Sequence, residues 1–380
     1  MTASVALLLA AILYLGMAVS TVFLISNSYI RSANAQMVEL PPLILPVQED
    51  AQGNQTSRPP SGNSSSPPPP PGLPSPPVQR NESSAQPNIP IPGIHSTNPC
   101  VTYDEESSTI EIVCDANISD LYFGLRDDSI VQHLGSDQLL IRSNITVEDG
   151  AAFTINSAGG INYLKLAGGS GITVHGKIQI DGIKITSWDP VNNTVIEQHS
   201  GTTPRAFLFL SGSEGGYIAN SELGYMGYHQ TGYRGVDLLD GSHDFEIRNS
   251  TFYHLWYAFY STGAYNIVIA SSEYRDNDLY AIDPHTGTHD VQIINNTIHD
   301  NPAAIVCSLD CQRITFENNT IYNNSGPGIF FSRNTQDSIA RYNTIYNQSI
   351  GIGFSESPNN EVYGNNITLT GRAVFLGDPE

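Results

Sequence analysis

Asn249-Ser250-Thr251-Phe252, Asn296-Thr297-Ile298, Asn319-Thr320-Ile321, Asn343-Thr344-Ile345 and Asn366-Ile367-Thr368 repeat one short pattern through the second half of the chain, with Ser272-Glu273-Tyr274 as a divergent member. Marked at their apolar residue (Phe252, Tyr274, Ile298, Ile321, Ile345, Ile367), they follow one another at steps of 22, 24, 23, 24 and 22 residues. A second column runs in phase: Ala258-Phe259, Ala281-Ile282, Ala304-Ile305, Gly328-Ile329 and Gly351-Ile352. A period of this length, with short alternating strands and few helix signals, specifies a solenoid. Leucine-rich repeats have a similar period, but their leucine framework is absent here. The reading is an all-β, right-handed parallel β-helix of about three short strands per coil. Asn at the corners can take left-handed backbone conformations or stack in ladders.

The register assigns directions. With Ile282, Ile305, Ile329 and Ile352 turned inward, the next residue of each coil points outward, giving the column Tyr260, Asp283, Val306, Phe330, Gly353. Two residues further on, the outward column reads Thr262, His285, Ser308, Ser332, Ser355. Coils about 4.8 Å apart build a long shallow surface suited to a linear ligand. A polysaccharide is the natural candidate partner and a protein the alternative. In Tyr280-Ala281-Ile282-Asp283-Pro284-His285 the carboxylate and the imidazole lie two residues apart, on one face of the strand. Tyr280, three residues before Asp283, joins them only if the strand bends.

The chain carries a formal charge of −21 and no basic stripe, which excludes nucleic acid as a partner. Residues 5 to 25 are almost wholly apolar and long enough to cross a bilayer, and Ala33-Asn34-Ala35 offers a cleavage pattern. Residues 1–35 therefore read as a signal peptide or a membrane anchor. Uncleaved, the segment would hold the chain on the outer face of the cell membrane; cleaved, it would release a secreted protein. Residues 36–98, with an unbroken proline run from Pro67 to Pro71, read as a disordered linker, and residues 99–380 as the solenoid. Four cysteines in an exported chain suit two local disulfides, Cys100 with Cys114 and Cys307 with Cys311. One coil is lengthened by Gly224–Gly235, a Tyr-, His- and Arg-bearing insertion that reads as a wall beside the groove or as a solvated loop.

Three stretches carry a resemblance: Phe252-Tyr253-His254-Leu255-Trp256-Tyr257-Ala258-Phe259-Tyr260, Tyr274-Arg275-Asp276-Asn277 and Tyr280-Ala281-Ile282-Asp283-Pro284-His285. Together they resemble the catalytic region of periplasmic-type mannuronan C5-epimerases, over roughly residues 206 to 370. The resemblance implies His285 as a base, Tyr280 as partner acid or base on the opposite face, and Asp283 as a positioning or carboxylate-neutralising group. It makes the expected partner a linear acidic polysaccharide and implies no metal or other cofactor. The family's arginine one coil beyond the Asp-Pro-His strand is replaced here by Leu309, whereas Arg333 in Phe331-Ser332-Arg333-Asn334 matches a second family arginine. Arg333 and Arg313 are the candidate cations. Tyr257, Tyr260 and His289 complete the expected substrate-binding set. A polysaccharide lyase on the same substrate class is one alternative function; a non-catalytic glycan-binding surface protein is another.

Overall fold

The computed structural model describes residues 98–197 and 204–377; the 1–35 segment and residues 36–97 of the linker lie outside the described residues. Among the described residues no helix is long and apolar enough to cross a membrane. The chain winds into a parallel β-helix whose coils stack three sheets of 12, 10 and 12 strands. Apart from three antiparallel pairs (Val101–Asp104 with Thr109–Ile112, Val131–His133 with Gln138–Ile141, and Lys184–Asp189 with Thr194–Val195), neighbouring strands come from successive coils and pair in parallel, as Thr297↔Thr320↔Thr344 and Ile298↔Ile321↔Ile345 do. The Thr side chains therefore line the outside and the Ile side chains the interior, the alternation expected of a strand buried on one face.

Asparagine divides its work within each corner. Asn295 and Asn318 take left-handed φ values of 58° and 55°, a conformation Asn tolerates better than most residues. The next residue turns inward. Asn296, Asn319 and Asn343 each pass a side-chain N–H to the following Asn Oδ1, at 3.1, 3.0 and 2.9 Å. Each also pairs with a backbone carbonyl of the preceding coil. A second ladder runs Asn277–Asn301–Asn324. Such amides would be costly to bury unpaired, so both ladders fix coil register as well as filling the corner. Aromatic rings stack in the interior in the same way, Phe252 on Tyr274 at 4.9 Å and Phe331 on Phe354 at 4.7 Å.

The N-terminal end of the solenoid is covered by the helix Ile118–Leu125, which buries Ile118, Leu121 and Leu125. Its start is a capping box, Asn117 and Asp120 each accepting the other's backbone N–H.

Cys100 and Cys114 form the expected disulfide. The second expected bridge is absent: Cys307 and Cys311 are free, buried thiols. Cys307 points inward from the strand Ala303–Ser308, and Cys311 follows the left-handed pair Leu309 and Asp310. That turn aims the Cys311 Sγ at two carbonyls, Pro284 O at 3.3 Å and Ser308 O at 3.2 Å, to which it donates.

Candidate functional site

The strand Tyr280–His285 belongs to the first sheet, between Tyr257–Thr262 and Ala303–Ser308. Ala281 and Ile282 are both buried in the core, so the strict alternation is broken by one residue. Tyr280 and Asp283 consequently emerge on the same outer face as His285. The preceding strand does the same with Tyr257, Tyr260 and Thr262, which pair with Tyr280, Asp283 and His285. One coil earlier the register shifts between Gly235 and Asp237, a β-bulge that brings Asp237 opposite Tyr260. Pro284 has no N–H to give to the ladder. Pairing to the following strand runs through Tyr280↔Ala303 and Ile282↔Ile305 and stops there.

The groups so gathered are tightly packed. Tyr260 is buried, with the Arg234 guanidinium 3.9 Å from its ring centroid and the His285 imidazole 5.5 Å from it. Its hydroxyl accepts from Thr262 Oγ1 at 3.1 Å. Tyr257 packs against both Tyr260 and Tyr280, at 5.6 and 5.0 Å between centroids. His285 Nδ1 lies 2.7 Å from the Thr286 hydroxyl. Tyr257 and Tyr260, both in the expected substrate-binding set, thus pack within the cluster around Tyr280 and His285.

Burial pushes the Asp283 carboxyl well above the usual carboxylate range, and the Arg234 and Arg333 guanidinium groups oppose that rise only in part. Burial, with the Asp283 charge, raises the Tyr280 phenol to about 12. Tyr257 is raised further, for the same two reasons. One oxygen of Asp283 and one of Asp237 are buried with no hydrogen-bond partner among the described residues.

Asp237 is wholly buried, and desolvation lifts it to about 7. The folded chain therefore binds this proton more tightly than the unfolded chain does. The stability it contributes is fully present below about pH 4 and is lost as pH rises through about 7. Asp237→Asn should flatten the fall in stability between pH 5 and 7 by about 1–3 kcal/mol, read as the change in urea midpoint across that interval.

Leu309 occupies the corner turn, half-buried, with a left-handed φ of 60°. Arg333 stands at the equivalent corner one coil later and reaches back, its Nη2 3.4 Å from Ser308 Oγ. His289 and Arg313 do not join this cluster. Both belong to strands of the second sheet, beyond the turn after His285. Arg313 grips Asp290 with two hydrogen bonds of 2.7 and 2.9 Å, which holds that carboxyl at about 2, and the His289 ring stacks on Tyr265. The sequence reading took Arg234 only as part of the Gly224–Gly235 insertion, a groove wall or a solvated loop, and did not single out Asp237. The available signal was the long coil itself, whose insertion ends at Arg234-Gly235 with an acidic residue two positions on.

A family model described as the right-handed β-helix region matches residues 234–378. The mannuronan C5-epimerase of Pseudomonas putida is 29% identical over 225 residues, covering 55% of this chain and 43% of its own length. That of Pseudomonas syringae pv. tomato is 28% identical over 270 residues, covering 66% and 50%. The chain thus spans about half the length of the curated relatives it matches. Among solved structures, the periplasmic alginate epimerase AlgG superposes with a TM-score of 0.64 at 27% identity, over 68% of this chain and 64% of that one. In sequence and in fold, the chain resembles the periplasmic mannuronan C5-epimerases along its parallel β-helix.

Proposed function

We propose that the protein is an extracytoplasmic C5-epimerase acting on uronic acid residues within a linear acidic polysaccharide. The observation that carries this is Tyr280, Asp283 and His285 emerging together from one strand, with Asp283 held towards its neutral form. The C5 proton of a uronate is poorly acidic because its removal places further negative charge beside a carboxylate. His285 takes that proton, and the C–H electron pair passes into the carboxylate as an enediolate. Asp283, carrying a proton, shares it with the substrate carboxylate and so stabilises that charge. Tyr280 remains protonated at neutral pH, the state required of a group that returns a proton to C5 from the opposite face. Arg333 acts on the Tyr280 phenol, whose ionised form its charge favours. His285 then releases a proton to water and Tyr280 regains one, so the reaction has no net proton change.

Periplasmic relatives and the Cys100–Cys114 disulfide support the extracytoplasmic setting. In the same reading the 1–35 segment exports or anchors the chain, and residues 36–98 link it to the solenoid.

Incubation with polymannuronate in deuterated water should place deuterium at C5 of the polymer, read by NMR. No exchange on any of several polyuronates would overturn the proposal. An unsaturated product absorbing in the ultraviolet would instead assign a lyase, which expels the C4 oxygen from the same carbanion.

A further inference from the structure

We propose that Arg234, carried on the insertion between the strands Glu222–Gly224 and Gly235–Leu239, is the cation that receives the reacting sugar's carboxylate. The inference rests on the epimerase reading and answers what that reading leaves open: which positive charge faces the group whose anionic character opposes proton loss. Two guanidinium groups bear on Asp283, and Arg234 is the stronger influence of the two. Arg333 is drawn to the downstream side, towards Ser308 and the Tyr280 phenol. Arg234 lies over Tyr260, whose ring also packs on the proposed base His285. Arg234 and His285 thus both border Tyr260, the strand partner of Asp283.

The backbone that presents Arg234 is held from three sides. Its N–H donates to the Asp237 carboxylate at 3.3 Å, and its carbonyl accepts from Tyr257 N at 2.8 Å. The same carbonyl lies against Gly227, where a Cβ would come within 1.8 Å of it, so only glycine fits. Two buried carboxyls, Asp237 and Asp283, lie within the electrostatic reach of the guanidinium, each with one oxygen lacking a hydrogen-bond partner among the described residues. A protonated carboxyl and a fork of N–H donors are the complement of a carboxylate. The chain's overall charge of −21 would otherwise repel a polyanion, which makes a local cation at the reacting residue the more necessary.

The test compares C5 deuterium exchange on polymannuronate and on its methyl ester, which lacks the carboxylate charge before the proton is removed. Arg234→Gln should lower exchange on the free acid about 10²–10³-fold, while the loss on the ester, whose enolate carries one negative charge in place of two, should be at least about tenfold smaller. Arg333→Gln should lower both rates alike. Equal losses of Arg234→Gln on both polymers, undiminished exchange on the acid, or an acid-to-ester ratio that follows Arg333 would overturn the inference. Should Arg234→Gln fail to fold, Arg234→Lys serves: it keeps the charge and should keep the acid-to-ester ratio within about fivefold of wild type even as both rates fall. A larger shift in that ratio would count against the proposal. If the wild-type chain exchanges on neither polymer, the epimerase reading fails by itself. Arg234 is then judged on calorimetric binding of an oligomannuronate. A tenfold loss in Arg234→Gln that disappears with the methyl ester supports the charge role, and unchanged affinity overturns it.

Discussion

His285→Gln should abolish C5 deuterium exchange on polymannuronate, with a loss of about 10³–10⁴-fold and polymer affinity nearly unchanged. Glutamine retains much of the size and polarity of the imidazole but cannot accept a proton near neutral pH. The ring meets the Thr286 hydroxyl and packs on Tyr260, contacts that a glutamine of similar reach can largely keep. Tyr280→Phe makes the complementary case. If His285 works on one face of the sugar and Tyr280 on the other, phenylalanine at 280 should separate removal from return: net inversion should fall about 10²–10³-fold. Exchange with retention through His285 alone should persist at a low level. Measuring label and stereochemistry in the same sample distinguishes the two roles. Equal and complete loss of both signals in both variants would argue that the residues form one structural unit instead of an acid and a base. Raising the pH should act on Asp283 as well. Its carboxyl is held neutral by burial, so it donates only below its raised pKa and turns from donor to additional anion above it.

The coil repeat was legible in the sequence because its length hardly varies and because buried Asn and Ile recur at fixed offsets. Asn296-Thr297-Ile298 encodes, in three residues, a ladder amide, an outward side chain and an inward one. The directions of Asp283 and His285 followed from the same register. Tyr280 did not, because simple alternation sends it to the opposite face from Asp283; the pair of inward residues Ala281 and Ile282 corrects this, and that break is set by how the strand seats against its neighbours. Arg234 and Asp237 were hidden for a related reason. The 29 residues from Leu223 to Phe252, where later coils have 22 to 24, obscure the column, and the bulge opposite Tyr257–Tyr260 displaces it by one more residue. The pairing of Cys307 with Cys311 was inferred from spacing alone, whereas thiol direction is decided by the left-handed Leu309-Asp310 turn between them. The helix Ile118–Leu125 was readable in principle from Asn117 and Asp120, a capping signal that the surrounding β pattern masked.

Arg205→Met should destabilise the solenoid by about 3–5 kcal/mol, the largest effect expected of any substitution outside the groove. Arg205 is fully buried and each arm of its guanidinium is engaged. Nε donates to Gly227 O at 2.8 Å, Nη1 to His254 O at 2.6 Å, and Nη2 to Asp278 Oδ2 at 2.5 Å. These partners come from three different places along the chain, so one side chain ties successive corners together. Burial favours the neutral form of the guanidinium, and the Asp278 carboxylate opposes that. Methionine fills most of the volume but leaves the buried Gly227 carbonyl and the half-buried His254 carbonyl without their arginine donor, and strips the Asp278 carboxylate of this cation. Arg205→Lys should recover only part of the loss, since an ammonium cannot reproduce the planar fork. Denaturant midpoints measure the cost; a loss below about 1 kcal/mol would show that water replaces these bonds without penalty. The same clamp bears on the groove. Gly227 and Arg234 enclose the insertion between them, and Gly227 O is one of the carbonyls Arg205 holds. Under conditions where Arg205→Met remains folded, its exchange rate on polymannuronate should still fall, and the fall should be smaller on the methyl ester. That pattern would trace the effect through Arg234, because a general loosening of the coil would disturb His285 and Tyr280 and slow both polymers equally.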